Sequence, residues 1–120
     1  MWRTELTAPQ ARGIMSSGDI PPEIRGISGR VAVILTQSWC PQWRAMDAYL
    51  ERMQAEQSPE TADLTVFYLC YDLLPFSDEF MSFKESRFAN DQIPFALYYR
   101  GGQLKETSNY VSESGFLGLF

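Results

Sequence analysis

The run Val31-Ala32-Val33-Ile34-Leu35-Thr36 constrains this chain more than any other segment. Six consecutive apolar or β-branched residues without a charge read as a strand covered on both faces, as at the centre of a parallel sheet. Such a strand needs a packing layer on each side, and the next segment supplies one. After Gln37-Ser38-Trp39-Cys40, Pro41 suits a first helical position, and Trp43, Met46, Leu50 and Met53 recur at three- and four-residue spacing. That predicts a helix running to about Glu56. Gln57-Ser58-Pro59-Glu60 breaks the pattern, and Leu64 to Tyr71 reads as a second buried strand, rich in aromatics. Right-handed crossover places the two strands in parallel.

Ser77 with Asp78 and Glu79 marks a second helix start, Ser77 as cap and the carboxylates at the positive dipole end. Phe76, Phe80 and Phe83 form its inner face. Lys84 and Arg87 fall in the last turn, where cations belong, and Asn90-Asp91 stops it. Pro94 opens a third strand, Phe95 to Tyr99. Arg100-Gly101-Gly102-Gln103 is a tight hairpin signal that returns Leu104 to Thr107 antiparallel. Ser112 to Phe120 is expected to make a short helix with Phe116, Leu117 and Phe120 inward. Upstream, Pro21-Pro22-Glu23 suits a brief helix with Asp19 as cap and Ile24 and Ile27 buried. Residues 1–20 are weakly periodic and poorly determined, with Gly13, Ser16, Ser17 and Gly18 reading as loop. No repeat or linker interrupts the 120 residues, so a single domain is expected, α/β in class, with a mixed central sheet ending in a C-terminal hairpin.

Composition narrows the chemistry. There is no histidine, which removes the commonest general base, any Ser-His or Cys-His dyad and the usual zinc or iron ligand sets. Ten basic residues against fifteen acidic ones give a net charge of -5, which argues against a phosphate-neutralising nucleic-acid surface. The opening residues hold no long apolar run, so neither a signal peptide nor a membrane span is expected. The two cysteines, Cys40 and Cys70, make no disulfide framework and suit a reducing, cytoplasmic setting. Nothing calls for a metal or an organic cofactor.

The chemistry-bearing segment is Trp39-Cys40-Pro41-Gln42-Trp43, between a buried strand and a helix. A thiol at a helix N-terminus meets free backbone amides and the positive dipole end, which favour the nucleophilic thiolate. In this setting the sequence resembles the thioredoxin family, which has Trp-Cys-x-x-Cys here, a following strand like Leu64 to Pro75, and an Ile-Pro dipeptide before a hairpin, matched by Ile93-Pro94-Phe95 and Arg100-Gly101-Gly102. The likeness covers roughly residues 22 to 118. It implies a thioredoxin-like fold with helices on both faces, a cis Pro94 beside Cys40, an Ile93 main chain that pairs with an extended substrate, and Trp39 and Pro41 as walls of that groove.

Two departures stand out. Trp43 replaces the family's second, resolving cysteine, and Ile34 stands where thioredoxins usually carry a buried aspartate that serves that cysteine. The motif is therefore that of a monothiol site. Cys40 as nucleophile would form a mixed disulfide with a protein or peptide partner, or with glutathione as co-substrate, and await release by an external thiol. Arg44 is a candidate support for the thiolate. Cys70 reads as a small buried hydrophobe, with a resolving thiol as the sharper alternative. Trp43 reads as core filling, and Asp72 as a turn residue or a hydrogen-bond partner of the active-site loop. A monomer is expected, with weak homodimerisation through sheet surface left bare by the short C-terminal segment as the alternative. The competing functional reading is a redox-inactive module binding a protein or peptide on the same groove.

Overall fold

The computed structural model describes residues 1–120. Five strands, β1 (Trp2–Glu5), β2 (Arg30–Thr36), β3 (Leu64–Cys70), β4 (Phe95–Arg100) and β5 (Gln103–Ser108), form one sheet in the order β1-β3-β2-β4-β5. β3 pairs in parallel with both β1 and β2, whereas β4 runs antiparallel to β2 and β5 antiparallel to β4. The apolar run that dominates the sequence is thus the central strand. Val31 to Thr36 are all buried.

Side-chain alternation along β2 divides the interior in two. Val31, Val33 and Leu35 face one cluster with Phe67, Leu69, Phe95, Leu97 and Tyr99. It is covered by α1 (Ala8–Ser17), α2 (Pro22–Arg25) and α4 (Ser77–Arg87), which contribute Ile14, Ile24 and Phe80. Ala32 and Ile34 face the other with Val66, Cys70, Ala96 and Tyr98. There α3 (Pro41–Glu56) lays down Trp43, Met46, Leu50 and Met53, the spacing read from the sequence, and α5 (Glu113–Phe116) adds Phe116. No helix is long and apolar enough to cross a membrane.

Several expectations are corrected. Residues 1–20 hold the edge strand β1 and the helix α1, so Gly13, Ser16 and Ser17 are helical and only Gly18 leaves the helix, as its left-handed cap at φ 77°. The helix starts at a capping box in which Thr7 and Gln10 satisfy each other's backbone N–H groups. Its buried stripe is only Ala11 and Ile14, too sparse to give a period. Asp19 does not cap α2; Pro21 holds that position, while Asp19 accepts the Ile20 N–H. Ile27 is exposed beyond the end of α2.

Further on, Tyr71 has left β3 and opens a 3-10 turn, Tyr71–Leu73. Ser77 is the first residue of α4 and Phe76 its cap, with no side-chain hydrogen bond there. Phe76 and Phe80 are buried but Phe83 only partly, and Lys84 is buried within the fold instead of projecting to solvent. Its ammonium donates to the Gln92 carbonyl and lies 5.4 Å from the Phe95 ring centroid, because the loop after α4 folds back over it. The C-terminal helix breaks after Phe116 into a 3-10 turn, Leu117–Leu119, and only Phe116 is fully buried.

Candidate active site around Cys40

Cys40 is the N-cap of α3, and Pro41 opens the helix. The position follows from local chemistry: Pro41 has no N–H to lose in the first turn, and its fixed φ suits that turn. No side chain caps the helix, so the first-turn amides of α3 face the Cys40 side without a competing acceptor. The dipole adds a positive potential at the same place.

Two loops hold Cys40 from opposite sides. On one, the carboxylate of Asp72 accepts the Ser38 N–H at 2.8 Å and the Ser38 hydroxyl at 2.6 Å. Arg44 Nε donates to the Ser38 carbonyl at 3.2 Å, so this guanidinium braces the loop from the helix side. On the other, the Ile93-Pro94 peptide bond is cis, and the Ile93 carbonyl oxygen lies 3.9 Å from Cys40 Sγ. Pro94 is buried and Ile93 half-buried between the two clusters.

Residues 90–94 are held by a polar network that local sequence reading missed. Asn90 Oδ1 accepts from Gln92 N–H, Asn109 Nδ2 and Lys84 Nζ, while Asn109 also donates to the Pro94 carbonyl at 3.0 Å. No sequence spacing announces the pair, because Asn109 follows β5 and Asn90 follows α4. Ser38 was likewise missed.

Exposure separates the remaining residues. Trp39 is 58% exposed, its indole N–H bound to Gln37 Oε1 at 2.7 Å, and stands at the rim as a free apolar surface. Cys40 itself is only 5% exposed, so the thiol at this helix start is nearly covered. Helix start, Ile93 and the sheet end close around it. Trp43 is buried and lies 5.5 Å from the Tyr68 ring, filling the face of α3 that a small residue would leave empty.

Cys70 lies in the same apolar cluster as Cys40 and Trp43, and both cysteines are free thiols. Burial, joined by the negative charges of Glu5, Asp72 and Asp47 and opposed by a hydrogen bond from Trp43, pushes the Cys70 thiol up to about 11. At neutral pH it is a protonated, poor nucleophile. The structure therefore brings Trp39, Cys40, Pro41, Ile93 and Pro94 together, places Ser38, Arg44 and Asp72 behind them as braces, and sets Trp43 and Cys70 in the core beneath. No group of three or more Cys, Asp or Glu side chains is arranged to hold a metal ion.

The backbone has known counterparts. Trxlp from Edwardsiella tarda EIB202 superposes with a TM-score of 0.61 at 19% identity, over 95% of this chain and 93% of that one. Thioredoxin O2 from Arabidopsis thaliana in its oxidised state gives 0.65 at 15% identity, over 97% and 89%. The thioredoxin of Malassezia sympodialis gives 0.62 at 12%, over 98% and 89%. No family model matches the sequence, and no curated protein matches it. The chain thus has the thioredoxin fold, complete in its five strands and its flanking helices, on a sequence far from those of its structural neighbours.

Proposed function

We propose that this thioredoxin-fold protein carries out monothiol thiol-disulfide exchange through Cys40. The observation that carries the reading is the position of Cys40: it caps α3 without a side-chain competitor, and its sulfur faces the Ile93 carbonyl across the groove. The nucleophile in such exchange is the thiolate form. The thiolate attacks one sulfur of a substrate disulfide, a new sulfur-sulfur bond forms to Cys40, and the other substrate sulfur leaves as a thiolate. With Trp43 in place of a second thiol, release falls to an external thiolate, such as glutathione or a protein cysteine. It attacks the substrate sulfur and returns Cys40 as thiolate. No net electrons are consumed, and the reading places the protein in a reducing compartment such as the cytoplasm. Trp39, Pro41 and the Ile93 main chain line the groove for an extended partner chain.

A second reading has its own support. Cys40 is nearly covered and Ile34 is a buried apolar residue, so the groove also suits a redox-inactive module that holds a protein or peptide against exposed Trp39. Intact-mass spectrometry of the folded protein with oxidised glutathione separates the two. The exchange reading expects one glutathione adduct on Cys40, retained in Cys70→Ser and absent in Cys40→Ser. A folded protein that takes no adduct, while the denatured chain does, leaves the binding module.

A further inference from the structure

Away from Cys40, a pocket of about 420 Å³ opens on the other face of the sheet, between α4 and the β4–β5 hairpin. Its floor is apolar: Phe88, Leu97 and Leu104 line it, and Leu104 is half exposed. Two guanidinium groups, Arg25 and Arg87, stand at its rim.

Both are fixed by backbone carbonyls and still have donors to spare. Arg25 gives Nε to Ile20 and Nη1 to Gly102, which leaves Nη2 unengaged. Arg87 gives Nε to Gly18, and its Nη2 is 3.6 Å from Asp19 Oδ2, a loose pair near solvent. Two arginines against one aspartate make the rim one charge positive in a chain whose net charge is -5. Tyr99 supplies the independent observation. Its side chain is 97% covered, since only 3% is exposed, yet it lines the pocket and its hydroxyl has no protein partner. Burial, with Asp19 adding to it and both arginines opposing, pushes its phenol well above the usual range, so it stays an O–H donor at physiological pH. The hydroxyl oxygen itself reaches the pocket surface, where it stands as a donor free to meet a bound acceptor.

We infer that this pocket binds a small apolar monocarboxylate, its carboxylate between Arg25, Arg87 and the Tyr99 hydroxyl and its hydrocarbon body on Phe88, Leu97 and Leu104. A single excess positive charge suits a monoanion better than a phosphate dianion, and paired guanidinium donors match the two carboxylate oxygens. The volume falls within the range of small-ligand sites. The inference does not rest on Cys40.

The test is an amide-resolved NMR titration of the full chain with 4-phenylbutyrate, and with 4-phenylbutanamide as its uncharged isostere. Saturable shifts are expected around Ala89, Leu97, Tyr99 and Leu104, with at least about tenfold weaker binding of the amide. Arg87→Gln and Tyr99→Phe, each retaining the parent spectrum elsewhere, are expected to weaken the carboxylate by roughly three- to tenfold. Absence of saturation, equal affinity for acid and amide, or shifts that map to the Cys40 groove would overturn the inference. So would unchanged affinity in both variants.

Discussion

Asp72, on the turn that follows β3, accepts two hydrogen bonds from Ser38, one from its main chain at 2.8 Å and one from its hydroxyl at 2.6 Å. The ends of two neighbouring parallel strands are thereby tied together immediately before Cys40. Hydrogen bonds to a carboxylate are worth roughly 1.5 to 3 kcal/mol where they are shielded, and less near solvent. Asp72→Ala is expected to lower stability by about 1 to 2 kcal/mol in urea titrations. It should also quicken amide hydrogen exchange at Ser38 and Trp39, while exchange in α4 stays as it was.

Trp43→Cys restores the spacing of a dithiol motif while emptying the space a tryptophan fills. The structure predicts opposite effects on chemistry and on stability. With oxidised glutathione, a bond between positions 40 and 43 should form in the folded protein, read as a loss of two mass units after the mixed disulfide resolves. The reduced variant should be destabilised by about 3 kcal/mol or more, as for other large-to-small changes in a packed core. Full stability would show that Trp43 is not a core residue.

Alkaline pH should unfold the protein through its buried acids. The folded-state values of Cys70, about 11, and Tyr98, about 12, lie above those of the exposed groups because burial disfavours their anions. Between the unfolded and folded values the native state holds protons the unfolded chain has released. Their contribution is therefore fully present below about pH 9 and is lost as pH rises through about 11 to 12. For Cys70 this amounts to at most about 3 kcal/mol. The urea midpoint should hold steady from pH 7 to about 9 and then fall, with a shallower early fall in Cys70→Ser.

Asn109 fixes the Ile93-Pro94 segment from beyond β5, by donating to the Pro94 carbonyl and to Asn90. Asn109→Ala takes the side-chain donor from the Pro94 carbonyl and the acceptor from the Asn90 side-chain N–H, while Asn90 Oδ1 keeps Gln92 and Lys84. A loss of about 1 to 3 kcal/mol is expected, together with a several-fold change in the rate at which Cys40 forms a mixed disulfide, since Ile93 forms one side of its groove. Unchanged Cys40 kinetics with a lowered urea midpoint would make Asn109 a purely structural residue.

How much of this was visible in the linear chain depends on where the determining contacts lie. β2, α3, β3 and the β4–β5 hairpin announce themselves because each has a strong local signal: a continuous apolar run, a four-residue stripe, or Gly101-Gly102 at a turn. The same locality placed Cys40 at a helix start. By contrast, β1 (Trp2–Glu5) is a short edge strand with exposed and half-exposed residues, and nothing in it alternates clearly. Lys84 has the sequence signature of a solvated last-turn cation, and only the return of residues 90–92 over α4 buries it. Tyr99 looks like any strand aromatic until α2 and α4 bring Arg25 and Arg87 to its hydroxyl. Cys40 is covered for a similar reason, because Ile93 arrives from 53 residues away.

The division of the interior by β2 bears on how the chain finds its register. One side of that strand carries Val31, Val33 and Leu35; the other carries Ala32, Ile34 and Thr36. A slip of one position against β3 would turn each set toward the wrong layer. Leu35 would be driven under α3, where Trp43 already takes the room, and Ala32 would leave a void beneath Ile14 and Phe80. Because the two halves differ in bulk, misaligned pairings are penalised twice, once by collision and once by emptiness. The alignment of the central strand is thus encoded in volume as well as in hydrogen bonds, without help from a buried charge.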